Sequence, residues 1–449
     1  MPLRVALFFV CVTLGLAQDQ LSIATFQADV TPPLGCPLED GAVKPAARIV
    51  APLTARGIVL MGAGKPIVLA AVDWVGIANQ GWDEWRAALA EAAGTTPDRV
   101  TVHTVHQHDA PGYDPAAERL LERRGLHNQT TDVAFARQAI QRTADSVRRA
   151  MKQPRKVTHI GLGEGKVEKV ASNRRVPGPD GKVKYVRYSS CRIPEAIAAP
   201  EGVIDPYLRM VSFWDGDRAV AALSYYASHP QSYYGEGGVN PDFPGMARSL
   251  REAALPGVAL VHFMGAGGNV AAGKYNDGSP EMRPVLAKRL AAGMQAAWDA
   301  TVKKPIRARD VEWRTEPVAL PIAERLKDAA ALRKTLDNAA AAPRARSAAA
   351  RNLVWKERQE TGKIALTCLR LGTAYVVHMP GELFVEYQLA AEKMRPKNFV
   401  AMAAYGDYGP GYIGTRIAYS QGGYETGPPS RVAPEVEDEL LGALRRLLR

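Results

Sequence analysis

Short apolar runs rich in β-branched residues recur along this chain, and longer amphipathic segments separate them. The apolar runs are residues 57–61, 67–72, 99–106, 210–214, 219–227, 258–264, 374–379 and 399–404. The segments that favour helix are residues 83–93, 131–152, 246–254, 282–301 and 383–393. Strands that alternate with helices indicate an α/β fold, with layered mixed sheets flanked by helices.

The sequence shows no division into several domains. Its 449 residues contain no Ser/Gly-rich linker and no internal repeat. We therefore expect residues 18–449 to form a single large domain. Within it, the stretch 322–359 is rich in Ala, Arg, Leu and Glu. This composition predicts a helical hairpin insertion that is interrupted near Pro343.

Charge and hydropathy argue against two classes of partner. The formal net charge of +11 comes from 57 basic and 46 acidic residues, and no long Lys/Arg block accompanies it. A nucleic-acid partner is therefore not expected. A helix that crosses a membrane needs roughly 20 apolar residues. No stretch is that long and apolar, so no transmembrane segment is predicted.

The first residues have the pattern of an export signal. Arg4 precedes an apolar run over residues 5–16, and Gly15 and Ala17 supply small residues for cleavage. The run is too short to span a bilayer, so residues 1–17 are predicted to be a cleaved signal peptide. The protein is accordingly expected to be secreted or periplasmic. An ordinary hydrophobic N-terminus is the alternative.

The cysteines do not form a metal motif. Beyond the predicted signal, the chain has Cys36, Cys191 and Cys368, without a C-x-x-C pair. A zinc site built from cysteines is therefore not expected. Their wide spacing allows one disulfide and a free thiol, but three buried thiols are the favoured interpretation.

Imidazoles, carboxylates and phenols collect where the predicted strands end. In open α/β sheets, ligands bind beyond the carboxyl ends of the strands, on the loops that follow. The segments that follow five of the apolar runs carry such side chains: residues 107–113, 228–231, 265–269, 380–382 and 405–412. We therefore expect these strand ends to converge on one site.

The histidines sharpen this expectation. His103, His106 and His108 fall within six residues of one another. In an extended strand, side chains alternate between faces, so His106 and His108 would share one face. Two neutral imidazoles can bind one zinc ion at about 2.0–2.1 Å, and His229 and Glu382 would complete a site with room for water. The alternative is a polar strand end that carries histidines by chance.

Six short motifs occur in a fixed order. They are residues 29–33 (DVTPP), 105–112 (VHQHDAPG), 172–175 (SNRR), 227–230 (ASHP), 380–382 (PGE) and 412–415 (YIGT) with Tyr419. In this order they resemble the motifs of the neutral/alkaline (non-lysosomal) ceramidase family, in its N-terminal catalytic domain. The resemblance covers nearly all of the chain after the predicted signal. It implies a zinc-dependent amidohydrolase that cleaves an N-acyl bond by metal-activated water.

The resemblance also implies a set of metal ligands. By motif, Zn²⁺ would be held by His106, His229, Glu382 and Tyr412. His108 in place of His106 stays open as an alternative ligand. The expected substrate is a small-molecule or lipid amide, with a ceramide-like lipid as one form.

The same resemblance implies that Arg174 would meet the polar head or carboxylate of the substrate, and that His108 would lie behind the metal ligands or on the substrate side. Our mechanistic hypothesis adds two roles to these. His108 or Asp109 would relay a proton, and Tyr412 or Tyr419 would donate a hydrogen bond to the oxyanion.

Two departures from the family pattern weaken the assignment of ceramide as substrate. Ala271 stands where the family has a serine. The family's C-terminal immunoglobulin-like domain is also not expected here, because the motifs extend close to the last residue. Two alternatives follow: a zinc hydrolase that acts on a non-lipid substrate, and a non-catalytic secreted binding protein.

Overall fold

The computed structural model describes residues 19–449 and contains three mixed β-sheets with helices packed against them. The α/β architecture predicted from the apolar runs is confirmed. The predicted signal peptide, residues 1–17, lies outside the described residues. Within residues 19–449, no helix is both long and apolar enough to cross a bilayer.

Fourteen strands form the three sheets, and additional short strands lie in the loops between them. The fourteen are β1 (Leu21–Asp29), β2 (Thr54–Gly62), β3 (Gly64–Val72), β4 (Val100–Thr104), β5 (Arg155–Val157), β6 (His159–Lys166), β7 (Tyr207–Asp215), β8 (Arg218–Tyr226), β9 (Ala259–Met264), β10 (Val302–Pro305), β11 (Val311–Val318), β12 (Ile364–Leu371), β13 (Ala374–His378) and β14 (Phe399–Ala403). The shorter strands are Arg48–Ile49, Gly76–Ile77, Gly112–Tyr113, Ser172–Asn173, Arg175–Pro177, Val183–Val186, Gly238–Val239, Val270–Ala271, Glu382–Leu383 and Tyr412–Ile413.

The helices alternate with these strands along the chain. They are α1 (Gln80–Ala93), α2 (Pro115–Glu122), α3 (Val133–Ala150), α4 (Pro194–Ala198), α5 (Asp242–Ala254), α6 (Met282–Asp299), α7 (Ala329–Asp337), α8 (Pro343–Thr361), α9 (Val385–Met394), α10 (Arg416–Gln421) and α11 (Val436–Leu447). Each of the predicted strands and helices overlaps an observed element of the same type.

Each of the three sheets ends in one parallel pair of strands. The strand order is β4-β3-β2-β1-β5 in the first sheet, β9-β8-β7-β6-β10 in the second and β11-β12-β13-β14 in the third. The pairs β3–β4, β8–β9 and β13–β14 are parallel. The other neighbours are antiparallel. Parallel strands buried on both faces have near-continuous apolar sequences, which explains why these runs are visible in the sequence.

The three parallel pairs pack against one another. Strand β9 contacts β3, β4 and β14, and β14 also contacts β8. Backbone hydrogen bonds join the strand ends: the amide of Thr104 donates to the carbonyl of Tyr405, and that of Ala404 donates to the carbonyl of Met264, both at 2.9 Å. Because parallel strands end at the same edge, this packing brings the loops that follow several strands to one place.

Helices α7 and α8 cover most of the stretch 322–359, with α8 continuing to Thr361, and they border the site where these loops meet. The two helices contact each other, and α8 packs on α2. Their shared apolar cluster includes Leu121, Leu336 and Val354. Helix α8 begins at Pro343, a residue suited to the first helical turn because its missing N–H would have no partner there.

The three cysteines of the described chain are buried free thiols, as the sequence favoured: Cys36, Cys191 and Cys368.

A buried ion pair connects α5 to the end of β3. Arg248 donates to both carboxylate oxygens of Asp73, at 2.9 and 2.7 Å. The backbone amide and hydroxyl of Thr54 also donate to Asp73, at 2.9 and 2.7 Å. Burial alone would raise the pKa of Asp73, but Arg248 holds it below the usual value. The next residue, Trp74, accepts the amide hydrogen bond of His106 at 2.9 Å, so the pair supports the loop that carries the histidines.

The Arg248→Met variant leaves this carboxylate buried without its partner. Loss of one member of a buried pair lowers the free energy of unfolding by about 3–5 kcal/mol, and urea denaturation measures the change. As a control, Lys288→Met removes the same charge from an exposed position of α6 and should change stability by less than about 0.5 kcal/mol. Equal stabilities of the two variants would contradict the structural role of the pair.

Candidate metal centre

His106 and His108 lie on the loop after β4 and not on the strand itself. The prediction that the strand extends through residue 106 is wrong, since β4 ends at Thr104. His106 has φ = +68°, a left-handed conformation in which an L-residue cannot continue a strand. The two imidazoles are still neighbours, with ring centroids 4.9 Å apart. The sequence therefore predicted correctly that the two imidazoles are neighbours, but it did so from a strand conformation that this part of the backbone does not have.

The other two sheets supply a histidine and a carboxylate to the same place. His229 follows β8 and Glu382 follows β13. The Oε2 atom of Glu382 lies 2.9 Å from Nε2 of His229 and 3.3 Å from Nε2 of His106. The three side chains are at most 3% exposed. The structure thus brings together one residue from the end of each sheet's parallel pair.

Backbone carbonyls fix the protonation of both imidazoles. Nδ1 of His106 lies 2.5 Å from the carbonyl oxygen of Val75, and Nδ1 of His229 lies 2.6 Å from that of Gly267. A carbonyl only accepts, so each Nδ1 carries a hydrogen, and a ring in its neutral form presents its lone pair at Nε2. Burial lowers the pKa of His229 to about 3, which keeps its ring neutral near pH 7.

The meeting of these atoms fits a metal ion. Two lone pairs that face one carboxylate oxygen repel it unless a cation lies among them. Nε2 of His106 is also buried without a hydrogen-bond partner among the described residues. Imidazole nitrogen and carboxylate oxygen are ligands that Zn²⁺ binds, so the donor set fits the predicted ion.

Tyrosines from the segment after β14 surround this centre. The hydroxyl of Tyr412 lies 3.3 Å from Nε2 of His229, and burial raises the pKa of Tyr412 well above its usual value. Tyr408 donates to Oε1 of Glu382 at 2.6 Å. Tyr405 stacks on His106 with ring centroids 4.6 Å apart. The sequence placed this segment at a strand end but identified only Tyr412 as a ligand.

His108 has an acidic partner that the sequence did not reveal. Its Nδ1 lies 2.8 Å from Oε1 of Glu39, and its Nε2 is buried without a partner among the described residues. Burial opposes the charge of the ring, but Glu39 raises the pKa of His108 above its usual value. The ligand atoms of His106, His108 and His229 lie within 4.8 Å of one another, so the three imidazoles form one buried group.

Arg174 lies at the centre, whereas two other residues of the predicted catalytic set do not contact it. The Arg174 guanidinium donates to the hydroxyl of Tyr412 at 3.0 Å. Asp109 instead accepts from the amide of Gly235 at 2.9 Å and from Asn240 at 3.1 Å, so it holds a neighbouring loop.

Tyr419 pairs its hydroxyl with that of Ser430 at 2.9 Å. It lines a separate cavity of about 790 Å³ whose lining includes none of the three site histidines. Tyr424 lies nearer the centre, with its ring 5.8 Å from that of Tyr412. The spacing of seven residues between Tyr412 and Tyr419 matched the family pattern but does not bring Tyr419 to the metal ligands.

Two adjoining cavities open onto the histidines. The inner cavity, of about 160 Å³, is lined by His106, Glu382 and Tyr408 among others. The outer cavity, of about 290 Å³, includes Arg174 and Arg344 in its lining. The two share five lining residues: Glu39, Ala42, His108, Tyr412 and Tyr424. Together they form one pocket with His108 at the junction.

Comparison with solved structures identifies related folds. The structure of a neutral ceramidase from Pseudomonas aeruginosa matches with a TM-score of 0.67 at 17% identity, over 96% of this chain and 74% of that chain. A ceramidase complexed with C2 also gives a TM-score of 0.67, at 16% identity, over 96% of this chain and 75% of that chain. No family model matches the sequence, and a search of curated proteins finds no match.

These matches confirm the resemblance inferred from the six motifs at the level of the fold. The chain has the fold seen in the neutral ceramidase, and the likeness extends over almost its whole length. The buried histidines after β4 and β8 give that fold a group of side chains that could hold a metal ion.

Zinc should stabilise the folded protein through this centre. An ion that binds only the folded state contributes about 2.7 kcal/mol at a concentration of 100 times its Kd, so added zinc should raise the Tm of metal-free protein. His229→Ala and Glu382→Gln should abolish the shift and the stoichiometric zinc found by elemental analysis. His127→Ala, on an exposed loop, should retain both. An unchanged Tm of the wild-type protein would contradict the metal centre.

Proposed function

We propose that this chain is a zinc-dependent hydrolase of the neutral ceramidase type that cleaves an N-acyl amide bond. One observation carries the proposal: the carboxylate of Glu382 lies 3.3 Å from Nε2 of His106 and 2.9 Å from Nε2 of His229, beside a polar pocket. The fold shared with a neutral ceramidase supports the same reaction class.

In this proposal, zinc is held by His106, His229, Glu382 and Tyr412. When bound, the ion would act as a Lewis acid that polarises a carbonyl and makes water nucleophilic near neutral pH. The carbonyls of Val75 and Gly267 keep the two rings in the tautomer that offers Nε2. These two hydrogen bonds hold both imidazole rings in position before substrate binds.

His108 is the residue placed to move the proton. Hydrolysis forms a bond between water oxygen and the acyl carbon, breaks the C–N bond, and transfers a water proton to the departing amine. His108 borders both cavities, and its Nε2 is unpartnered among the described residues. Glu39 accepts from Nδ1 at 2.8 Å and stabilises the ring when Nε2 carries the transferred proton.

Arg174 and Tyr412 stabilise negative charge at the acyl oxygen. Burial opposes the charge of Arg174, but Tyr412 and Glu425 hold its pKa above the usual value. The side chain is 3% exposed and lines the outer cavity, so it presents a fixed positive charge to that cavity. Fixed donors of this kind act on charge that develops in the transition state.

A non-catalytic binding protein is the second candidate, because Ala271 replaces the serine of the family pattern. Ala271 is fully buried and pairs with Ser172 between two short strands, so no hydroxyl is available at that position. The intact set of histidines, carboxylate and tyrosine favours the hydrolase.

Export, which is predicted from residues 1–17, stays a proposal, and N-terminal sequencing of mature protein tests it.

The His108→Gln variant tests the hydrolase assignment. The change removes the proton carrier but leaves the proposed zinc ligands, so kcat on an N-acyl amide should fall by about 100-fold or more while the zinc content stays at the wild-type level. His127→Gln serves as the matched control.

One result would contradict the role of His108, and another would contradict the hydrolase assignment itself. An unchanged kcat in His108→Gln excludes this residue as the proton carrier. Zinc-loaded wild-type protein that hydrolyses no member of a panel of short-chain and long-chain N-acyl amides supports the binding-protein alternative.

A further inference from the structure

The pocket beside the histidines offers little apolar surface to a substrate. Ala42 and Val43 are the aliphatic side chains of the outer cavity within the described chain, and its other lining residues are polar, phenolic or charged. A long acyl chain gains binding free energy in proportion to the apolar area that it buries. This lining therefore favours a compact, polar substrate.

The acidic side chains of the pocket already have partners. Asp40 lies 2.7 Å from Arg351, Glu39 contacts His108, and Glu382 contacts the two histidines of the metal centre. A substrate therefore meets few uncompensated negative charges in this pocket.

Two arginines leave positive charge in the pocket. Arg431 lines the inner cavity and donates to Asn352 and to the carbonyl of Gly409, which are both neutral. Burial lowers the pKa of Arg431 to about 10, which still leaves it protonated near pH 7. Arg344 lines the outer cavity, is exposed, and forms no ion pair with any residue in 19–449.

The position of Arg344 does not stabilise its own helix. It is the second residue of α8, which begins at Pro343, and a cation in the first helical turn opposes the helix dipole by about 0.3–1 kcal/mol. The side chain thus borders the pocket without a stabilising partner in the described fold. An anionic ligand in the outer cavity would supply that partner.

We propose that the substrate carries a carboxylate and that Arg344 binds this group at the outer cavity. The proposal rests on the proposed hydrolase function and names its substrate class: an N-acyl amide with a carboxylate, either on the amine side or on the acyl side. Arg344 acts as a specificity-determining residue, since it lies in the outer cavity while the scissile bond meets the metal centre in the inner one.

Two pairs of probes separate charge from shape. N-acetylglycine and N-acetylglycinamide place the carboxylate, or its neutral amide, on the amine side. Succinanilic acid and its terminal primary amide place the same groups on the acyl side. Calorimetric titration of zinc-loaded protein gives the Kd of each probe, and product analysis gives hydrolysis separately.

Three variants accompany the wild-type protein. Arg344→Glu reverses the charge at the outer cavity, and Arg344→Lys retains it. Arg333→Glu makes the same reversal on an exposed position of α7 that does not line the two cavities. Because all three changes are on exposed side chains, we expect them to fold like the wild-type protein.

The carboxylate member of at least one pair should bind roughly fivefold or more tightly than its neutral partner, and higher salt should weaken this preference. Arg344→Glu should lose the preference, while Arg344→Lys and Arg333→Glu should keep it. Equal affinities within both pairs, absence of binding by all four probes, or a preference that survives Arg344→Glu would overturn the proposal.

The hydrolysis measurement keeps the two proposals distinguishable. A charge preference that depends on Arg344, without hydrolysis of any probe, supports the carboxylate site and contradicts the hydrolase. Hydrolysis of both members of each pair with equal kcat/KM supports the hydrolase and contradicts the carboxylate site.

Discussion

The candidate site depends on one buried contact, in which the carboxylate of Glu382 meets the Nε2 atoms of His106 and His229 at 3.3 and 2.9 Å. Each of the three residues comes from a different sheet, so the contact exists only when all three sheets are packed. Backbone carbonyls hold hydrogens on the opposite ring nitrogens, which leaves lone pairs facing a negative oxygen. A cation would convert this repulsion into coordination, and the proposed chemistry of the site rests on that step.

The packing of the parallel strand pairs brings these three residues close enough to make this contact. Each sheet is mostly antiparallel, yet each ends in one parallel pair, and these pairs pack at the centre of the molecule. Loops that follow parallel strands leave from the same edge, so distant segments of the chain meet there. The Asp73–Arg248 pair also stabilises this region, because Asp73 directly precedes Trp74, whose carbonyl accepts the hydrogen bond of the His106 amide.

The sequence predicted the strands that are continuous apolar runs better than the strands in which polar residues or glycines interrupt the run. Central strands such as β3 and β8 are continuous apolar runs and were identified, whereas β6 (HIGLGEGK) and β11 (VEWRTEPV) alternate polar with apolar residues and were not. His106, His229, Glu382 and Tyr412 were predicted from motifs and do meet. Glu39 was missed because it lies in an irregular turn with φ = +47°, and Tyr424 was missed because residue spacing does not report how a loop folds back.

The central claim is that zinc lies between the two Nε2 atoms and the Glu382 carboxylate, and zinc X-ray absorption on the loaded protein tests it most directly. The account predicts a shell of nitrogen and oxygen ligands at about 2.0–2.2 Å, with outer-shell scattering from two imidazoles that is retained in His108→Gln. A spectrum with sulfur ligands, one without imidazole scattering, or one that loses an imidazole in His108→Gln would contradict it.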